Sequence, residues 1–390
     1  MAVITGGPSP GHHPVVHHPL ALNWDAARQA DEYAEAIWSG RGELYPFFDR
    51  LLAAQSRIYG PGGEVPPIDS STRPTTAVWW PDESGDHTPP WPAWNSVELA
   101  VASDSPRVAL YRRHQSWWRE TERGAAPAAH PKVQHRLIGS SFAAAAVRQN
   151  RRLNFIDEAA YRHAEQRAIE VEAEGGTLDA ERLFGNLLSS MPMCFNLFGS
   201  LAAVPRFIDV VCAVFDGQAG EIDRVICEAP SPPAWRDRTA FDAQIDYTAV
   251  SGDRCFIAVE TKYTEAFTPT RYDRTEYREI TERCGWFLPG AADGLIEVET
   301  NQLWRGLLLM NVVEDHLGAV GRYCVVAPAD DSDARRAVET ARSWLTQAER
   351  WRLKFVSLEQ IVEAAGKAED PRLRTWSVEF TRRYIAEVQE

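Results

Sequence analysis

"CFIAVETKYTE", residues 255–265, decides how this chain is read. Phe256 to Val259 are apolar at every position, as in a strand buried on both faces, and then Glu260 and Lys262 follow at alternate positions. Side chains alternate across a strand. Phe256, Ala258, Glu260, Lys262 and Thr264 therefore share one face, and Ile257, Val259, Thr261 and Tyr263 the other. A central strand tolerates Glu beside Lys only where something offsets their desolvation. A solvated cross-strand ion pair is one solution. A cation held by carboxylates is another, and that one has catalytic use.

The stretch before it, "AFDAQIDYTAV" (residues 240–250), also reads as a strand, with Asp242, Gln244, Asp246 and Thr248 on one face. "SGDR" at 251–254 supplies a turn, so a hairpin is expected. Its register decides whether Asp242 or Asp246 meets Glu260, because a slip by one residue reverses the face.

The rest of the sequence bounds the setting. The chain of 390 residues, 44% hydrophobic and 25% charged, fits one large soluble domain with an extension. It holds no apolar run of about 18 residues, which argues against a membrane span. The N-terminus lacks the basic start and apolar stretch of a secretory signal. The six cysteines are scattered without a C-x-x-C pair, which suits neither a zinc site nor a disulfide framework, and a cytoplasmic location is expected. A net charge of −14 argues against nonspecific coating of nucleic acid but leaves room for a local patch. Residues 101–170 supply one, with twelve Lys/Arg against seven Asp/Glu. "LYRRHQSWWRE" (residues 110–120) adds Trp117 and Trp118, giving either a phosphate-contacting and stacking surface or an amphipathic helix with tryptophan in the core.

Residues 1–20, rich in Pro, Gly and His, are expected to be disordered, with His12, His13, His17 and His18 as adventitious metal binders at most. Residues 21–104 form a helical and Pro/Trp-rich extension. Helical periodicity is expected over 105–123 and 155–173. A helix capped by Thr177 or Asp179 should follow, then a strand at "IDRVICEAP", the hairpin, helices near 272–284 and 300–316, and the strand "RYCVVAP". The C-terminal part reads as helix, strand and helix. The expected fold class is α/β (α+β): a small mixed β-sheet flanked by helices, with a largely helical N-terminal extension.

"FDAQIDYTAVSGDRCFIAVETKYTE" resembles the core hairpin of the PD-(D/E)XK nuclease superfamily, the restriction-endonuclease-like fold. "HQSWWRE", "NLLSSMPMCFNLFG", "RTAFD", "ETKYTE" and "NQLWRGLLL" resemble one bacterial branch of it, over about residues 105 to 310. The resemblance implies a nuclease-like domain over 105–390 with its core at about 175–330. The sequence departs from the name-giving motif in having Phe241 where proline would stand.

By that resemblance Asp242 matches the first metal-binding acid, Glu260 the second and Lys262 the catalytic lysine. Asp246 is the alternative first acid, and the Thr261 carbonyl a further metal ligand. Glu181, Glu228 and Gln302 match supporting positions. Arg112, Arg113, Arg119, Arg148, Arg151 and Arg152 are the candidates for nucleic-acid contact. A lysine desolvated beside a metal is expected to have a depressed pKa. The implied activity is Mg²⁺-dependent phosphodiester hydrolysis, with Mn²⁺ as a substitute, by a DNA endonuclease of restriction or anti-phage defence. RNA stands as an alternative substrate, and a second copy or a defence-system protein as partner. The competing reading is a non-catalytic nucleic-acid-binding or interaction module that keeps the nuclease fold.

Overall fold

The computed structural model describes residues 97–133, 136–174, 178–237 and 239–386. The expectations for residues 1–96, and Thr177 as a helix cap, lie outside the described residues. The described chain falls into two compact units, one ending at Leu153 and one spanning Asn154–Ala386.

In the first unit, β1 (Val97–Glu98), helix α1 (Pro106–Trp118), β2 (Pro127–Ala129) and β3 (Leu137–Phe142) form a helix on a three-stranded sheet of order β1-β3-β2. Ser105 caps α1 by accepting from the Val108 N–H, and Pro106 stands at its first turn, where a missing N–H costs nothing. Gly139 lets β3 approach the helix: a Cβ there would lie 2.4 Å from Ser116 Oγ. The sheet was not expected from sequence. Residues 124–142 carry proline and no sustained alternation, so the strand pattern does not announce itself.

The second unit carries a five-stranded sheet of order β4-β5-β6-β7-β8, formed by Ala219–Ala229, Phe241–Ala249, Arg254–Thr261, Val320–Ala327 and Leu353–Ser357. β4, β5 and β6 run antiparallel, and β6, β7 and β8 are parallel. The β5–β6 hairpin closes through Gly252 at φ 90°, a left-handed conformation that glycine adopts without Cβ strain. Helices α2 (Glu158–Ala173), α3 (Ala180–Gly185) and α4 (Ser190–Cys194) precede β4, followed by a short helical stretch over Phe207–Phe215. Asp179 caps α3 by accepting from the Arg182 N–H at 3.0 Å. The expected single helix after residue 178 is broken at Asn186 and resumes at Ser190, continuing as a π-type turn over Phe195–Gly199. Beyond the hairpin come α5 (Thr275–Arg283), α6 (Val298–Leu317), α7 (Ser332–Ser343), α8 (Leu358–Lys367) and α9 (Pro371–Tyr384).

Phe256, Ile257, Ala258 and Val259 are fully buried, so β6 is the central, doubly covered strand that its apolar run implies. Phe256 and Ala258 pack with Tyr323 and Val325 of β7 against Leu303, Trp304, Leu307 and Met310 of α6. Each Phe, Val, Leu and Met among them contributes about 1.5–3 kcal/mol by burial. Gly306 makes the close approach of α6 to the sheet feasible, because a Cβ there would fall 2.4 Å from Cζ and Oη of Tyr323. The core thus forms a rigid mount for the end of β6. Among the described residues all six cysteines are free thiols, and no helix is long and apolar enough to cross a membrane.

Candidate active site

The pairing of β5 with β6 runs Ala243↔Val259, Gln244↔Ala258 and Asp246↔Phe256. That register puts the Asp242/Gln244/Asp246 face on the same side as Glu260 and Lys262, and it brings Asp242 to the end of β6. Oδ2 of Asp242 accepts from both the N–H and the hydroxyl of Thr261, each at 2.7 Å. These two bonds fix the carboxylate and leave Oδ1 without a hydrogen bond among the described residues. Asp246 lies further along the strand, at 2.8 Å from Arg224 and accepting from Gln244 Nε2 at 2.6 Å. Asp242 is therefore the acid that the structure brings to the Glu260–Lys262 end of the hairpin.

Glu260 and Lys262 are both buried, and Lys262 Nζ lies 2.7 Å from Glu260 Oε1. Gln302, on α6, bridges the pair: its Nε2 donates to Glu260 Oε1 at 2.6 Å, and its Oε1 accepts from Lys262 Nζ at 3.3 Å. The Phe267 ring lies under the ammonium at 4.8 Å from the ring centroid. Tyr323, fully buried on β7, has its phenol pushed well up by burial and by the Glu260 and Asp242 charges nearby.

Glu228 belongs to the same row of acids. The pairs Cys227↔Ala243 and Ala229↔Phe241 bracket it opposite Asp242, so Glu228, Asp242 and Glu260 stand abreast across β4, β5 and β6. Its backbone is left-handed at φ 51°, a conformation that costs a side-chain-bearing residue about 1–2 kcal/mol. The buried Arg167 guanidinium holds it there, donating to the Glu228 carbonyl from Nε at 3.1 Å and Nη2 at 2.9 Å. Glu174 and Glu170 anchor that guanidinium in turn.

Electrostatics follow from the crowding. Burial, helped by the Asp242 charge, pushes Glu260 up to about 7 despite the lysine beside it. Burial with the Asp242, Cys227 and Glu260 charges pushes Glu228 up to about 8, opposed by Arg182. Asp242 is raised by burial, held back by Lys262 and the Thr261 bonds. Burial acts to lower Lys262, but Glu260 and Asp242 outweigh it and the amine is raised. Two facing carboxylates stabilise the ammonium more than desolvation harms it.

The donor set is all oxygen, which suits a hard divalent cation, and two carboxylates match the number Mg²⁺ commonly takes. Among the described residues no group of three or more His, Cys, Asp or Glu side chains is gathered tightly enough to hold a metal. If a cation binds here, Asp242 and Glu260 would hold it, and the burial that raises both acids is a burden that a cation would relieve.

The other candidates fall elsewhere. Glu181 is exposed in the first turn of α3, and nothing among the described residues ties it to the acids. Arg119 is corrected as a nucleic-acid contact: its guanidinium is completely buried, donating to the carbonyls of Gly139 and Ala125 and paired with Glu120 at 3.1 Å. Arg112 is committed to Asp104 and Ser140. Arg113, Arg148, Arg151 and Arg152 are exposed on the first unit. Trp118 is buried and Trp117 half-buried, so the amphipathic-helix reading of that stretch accounts for Trp118 and Arg119.

Sequence reasoning missed Glu265, which accepts from the Ser190 N–H at 2.7 Å and from Arg182 at 3.3 Å, tying the end of the motif to α3 and α4. The signal was present in "ETKYTE": Glu265 falls off the Glu260/Lys262 alternation and so turns to other partners. Tyr323 and Phe267 carried no signal, since their partners are remote or lie across a loop.

A family model described as the PD-(D/E)XK nuclease superfamily matches residues 102–386, nearly three quarters of the chain. No curated protein and no solved structure matches it. The five-stranded mixed sheet, with an acid on β5 facing a Glu-x-Lys at the end of β6, agrees with that match, and the chain belongs to the PD-(D/E)XK nuclease superfamily.

Proposed function

We propose that the protein is a divalent-metal-dependent endonuclease that hydrolyses phosphodiester bonds of DNA, leaving a 5′-phosphate and a 3′-hydroxyl. Nucleases of this superfamily generally use divalent metals. The observation that carries the reading is the buried Asp242–Glu260–Lys262 group, with Lys262 2.7 Å from Glu260 and both acids raised by burial. A buried like-charged pair is a poor structural device, since apolar residues of similar size would hold the strands better.

A divalent cation, Mg²⁺ or in its place Mn²⁺, would be held by Asp242 and Glu260 and would supply Lewis acidity at the scissile phosphate. Thr261 keeps Asp242 oriented through Oδ2, and Gln302 keeps Glu260 in place, so neither carboxylate reorganises during reaction. Lys262, once its carboxylate partners are neutralised, is left with burial as the main influence on its amine, which lowers its pKa and suits it to move a proton at Nζ. While protonated, it offsets charge building on the phosphate.

A nucleic-acid substrate is supported by the exposed Arg113, Arg148, Arg151 and Arg152, which would supply phosphate-contacting charge in an acidic chain; DNA rather than RNA follows the restriction-type likeness. The place in restriction or anti-phage defence rests on the likeness of its segments to restriction-type nucleases. The test is incubation of the purified chain with plasmid, linear duplex, single-stranded DNA and RNA, with Mg²⁺, Mn²⁺ or chelator. Metal-dependent cleavage of DNA supports the proposal; cleavage of RNA alone moves the substrate. Binding without cleavage under any metal identifies the non-catalytic module instead.

A further inference from the structure

Residues 266–274, "AFTPTRYDR", lead from the catalytic end of the hairpin to α5. One turn of α6 fastens this segment with three side chains. Asn301, fully buried, grips both backbone groups of Tyr272: the Tyr272 N–H donates to Oδ1 and Nδ2 donates to the Tyr272 carbonyl, each at 3.0 Å. Gln302 Oε1, already bonded to Lys262, accepts from the Thr268 N–H at 3.1 Å. Arg305 lays its guanidinium 4.1 Å from the centroid of the Tyr272 ring.

Arg305 is an unusual support. It is buried, its Nη2 is held by Asp237 at 2.6 Å, and its Nε has no hydrogen-bond partner. An N–H left unpaired in the interior is destabilising, offset in part by the aromatic face. The result is a tyrosine with a fixed backbone, one ring face seated on a cation, and 36% of the residue open to solvent. Arg271 and Arg274 flank it with half-exposed side chains. Arg271 is paired with the equally exposed Glu297 at 2.6 Å, and Arg274 lies 4.0 Å from Asp237. The Arg271–Glu297 pair, exposed on both sides, is weak enough to exchange its carboxylate for a phosphate.

We propose that Tyr272 is a stacking platform for an unpaired nucleobase beside the cleavage centre, with Arg271 and Arg274 on the flanking phosphates. This deepens the nuclease reading and rests on it for the chemistry: the substrate is a single strand, or a duplex locally opened at the cut. The base faces of an intact duplex are occupied by their neighbours, so a lone aromatic platform engages only a base that has left the stack. Gln302 ties Thr268 of this segment to Glu260 and Lys262, while its neighbour Asn301 holds Tyr272, so adjacent residues of α6 hold the platform and the catalytic group.

The experiment uses the full chain in chelator, where no cutting occurs, and an oligonucleotide carrying 2-aminopurine, single-stranded or annealed to its complement. Wild type, Tyr272→Ala and Tyr272→Phe are compared by titration. The expected result is that Ala weakens single-strand binding about tenfold or more and loses the stacking quench, Phe keeps both, and duplex affinity changes little. Wild type failing to bind the single strand, Ala binding it as wild type does, or Ala losing single strand and duplex alike, overturns the proposal. The nuclease reading fails separately: a chain that stacks the probe but cuts nothing when metal is restored keeps the platform and loses the reaction.

Discussion

Gln302 Nε2 lies 2.6 Å from Glu260 Oε1, while the same side chain accepts from Lys262 and from the Thr268 N–H. One amide thus sets the positions of an acid, a base and a loop. Gln302→Ala is expected to lower kcat/KM by about 10–100-fold, the usual cost of losing a partner that orients a ligand, with an unfolding midpoint close to wild type. Gln302→Glu should lose more at neutral pH, because an acceptor then faces an acceptor. Initial rates beside urea melts check this, and an unchanged Gln302→Ala rate removes Gln302 from the site.

Glu228 holds a left-handed backbone next to two other acids. Glu228→Gly relieves both the Cβ strain and the like-charge crowding, and it is expected to stabilise the fold by about 1 kcal/mol. If Glu228 supports the site as proposed, the same variant loses activity. Chemical denaturation and cleavage rates then move in opposite directions. A destabilised Glu228→Gly would show that the carboxyl, not the backbone, is what the fold needs.

Gly306 meets the Tyr323 phenol where a side chain would intrude. Gly306→Ala is expected to destabilise by about 1–3 kcal/mol through overpacking, although alanine favours helix elsewhere. Urea melts decide between the two effects.

Asp237 gives a pH dependence whose sign is fixed by its partners. Burial acts to raise this carboxyl, but hydrogen bonds from Tyr277, Arg305 and Thr239 pull it down to about 2. A depressed folded pKa contributes stability above the unfolded value of about 3.9, and that contribution is lost as pH falls from there through the folded value. Wild type should exceed Asp237→Asn by on the order of 2 kcal/mol near neutrality, and the gap should close between about pH 4 and pH 2. Unfolding midpoints across that window test it; a gap independent of pH assigns the loss to packing.

The hairpin was legible because both its strands obey the two-residue period. Four apolar residues before Glu260 announced a central strand, and the faces holding Asp242 and Glu260 were fixed once the register was known. Register itself was not readable, since it depends on the turn around Gly252. Arg119 shows the limit on the charged side. An arginine in "SWWRE" reads alike whether it meets phosphate or two buried carbonyls, because the partners are Gly139, in a strand without a strand signal, and Ala125, in the loop before β2. Tyr323 and Arg305 were silent for a related reason: a buried tyrosine and a helical arginine acquire their roles only from partners far along the chain.

The central claim is that Glu260 and Lys262 act on the reacting phosphate rather than merely hold two strands together. The most direct measurement is the single-turnover cleavage rate of wild type, Glu260→Gln and Lys262→Met with saturating Mg²⁺, each variant first shown to be folded by circular dichroism. The account predicts metal-dependent cleavage by wild type and losses of about 100-fold or more in both variants, as expected for groups that stabilise charge or move a proton in the transition state. Folded variants that cut as fast as wild type would contradict it.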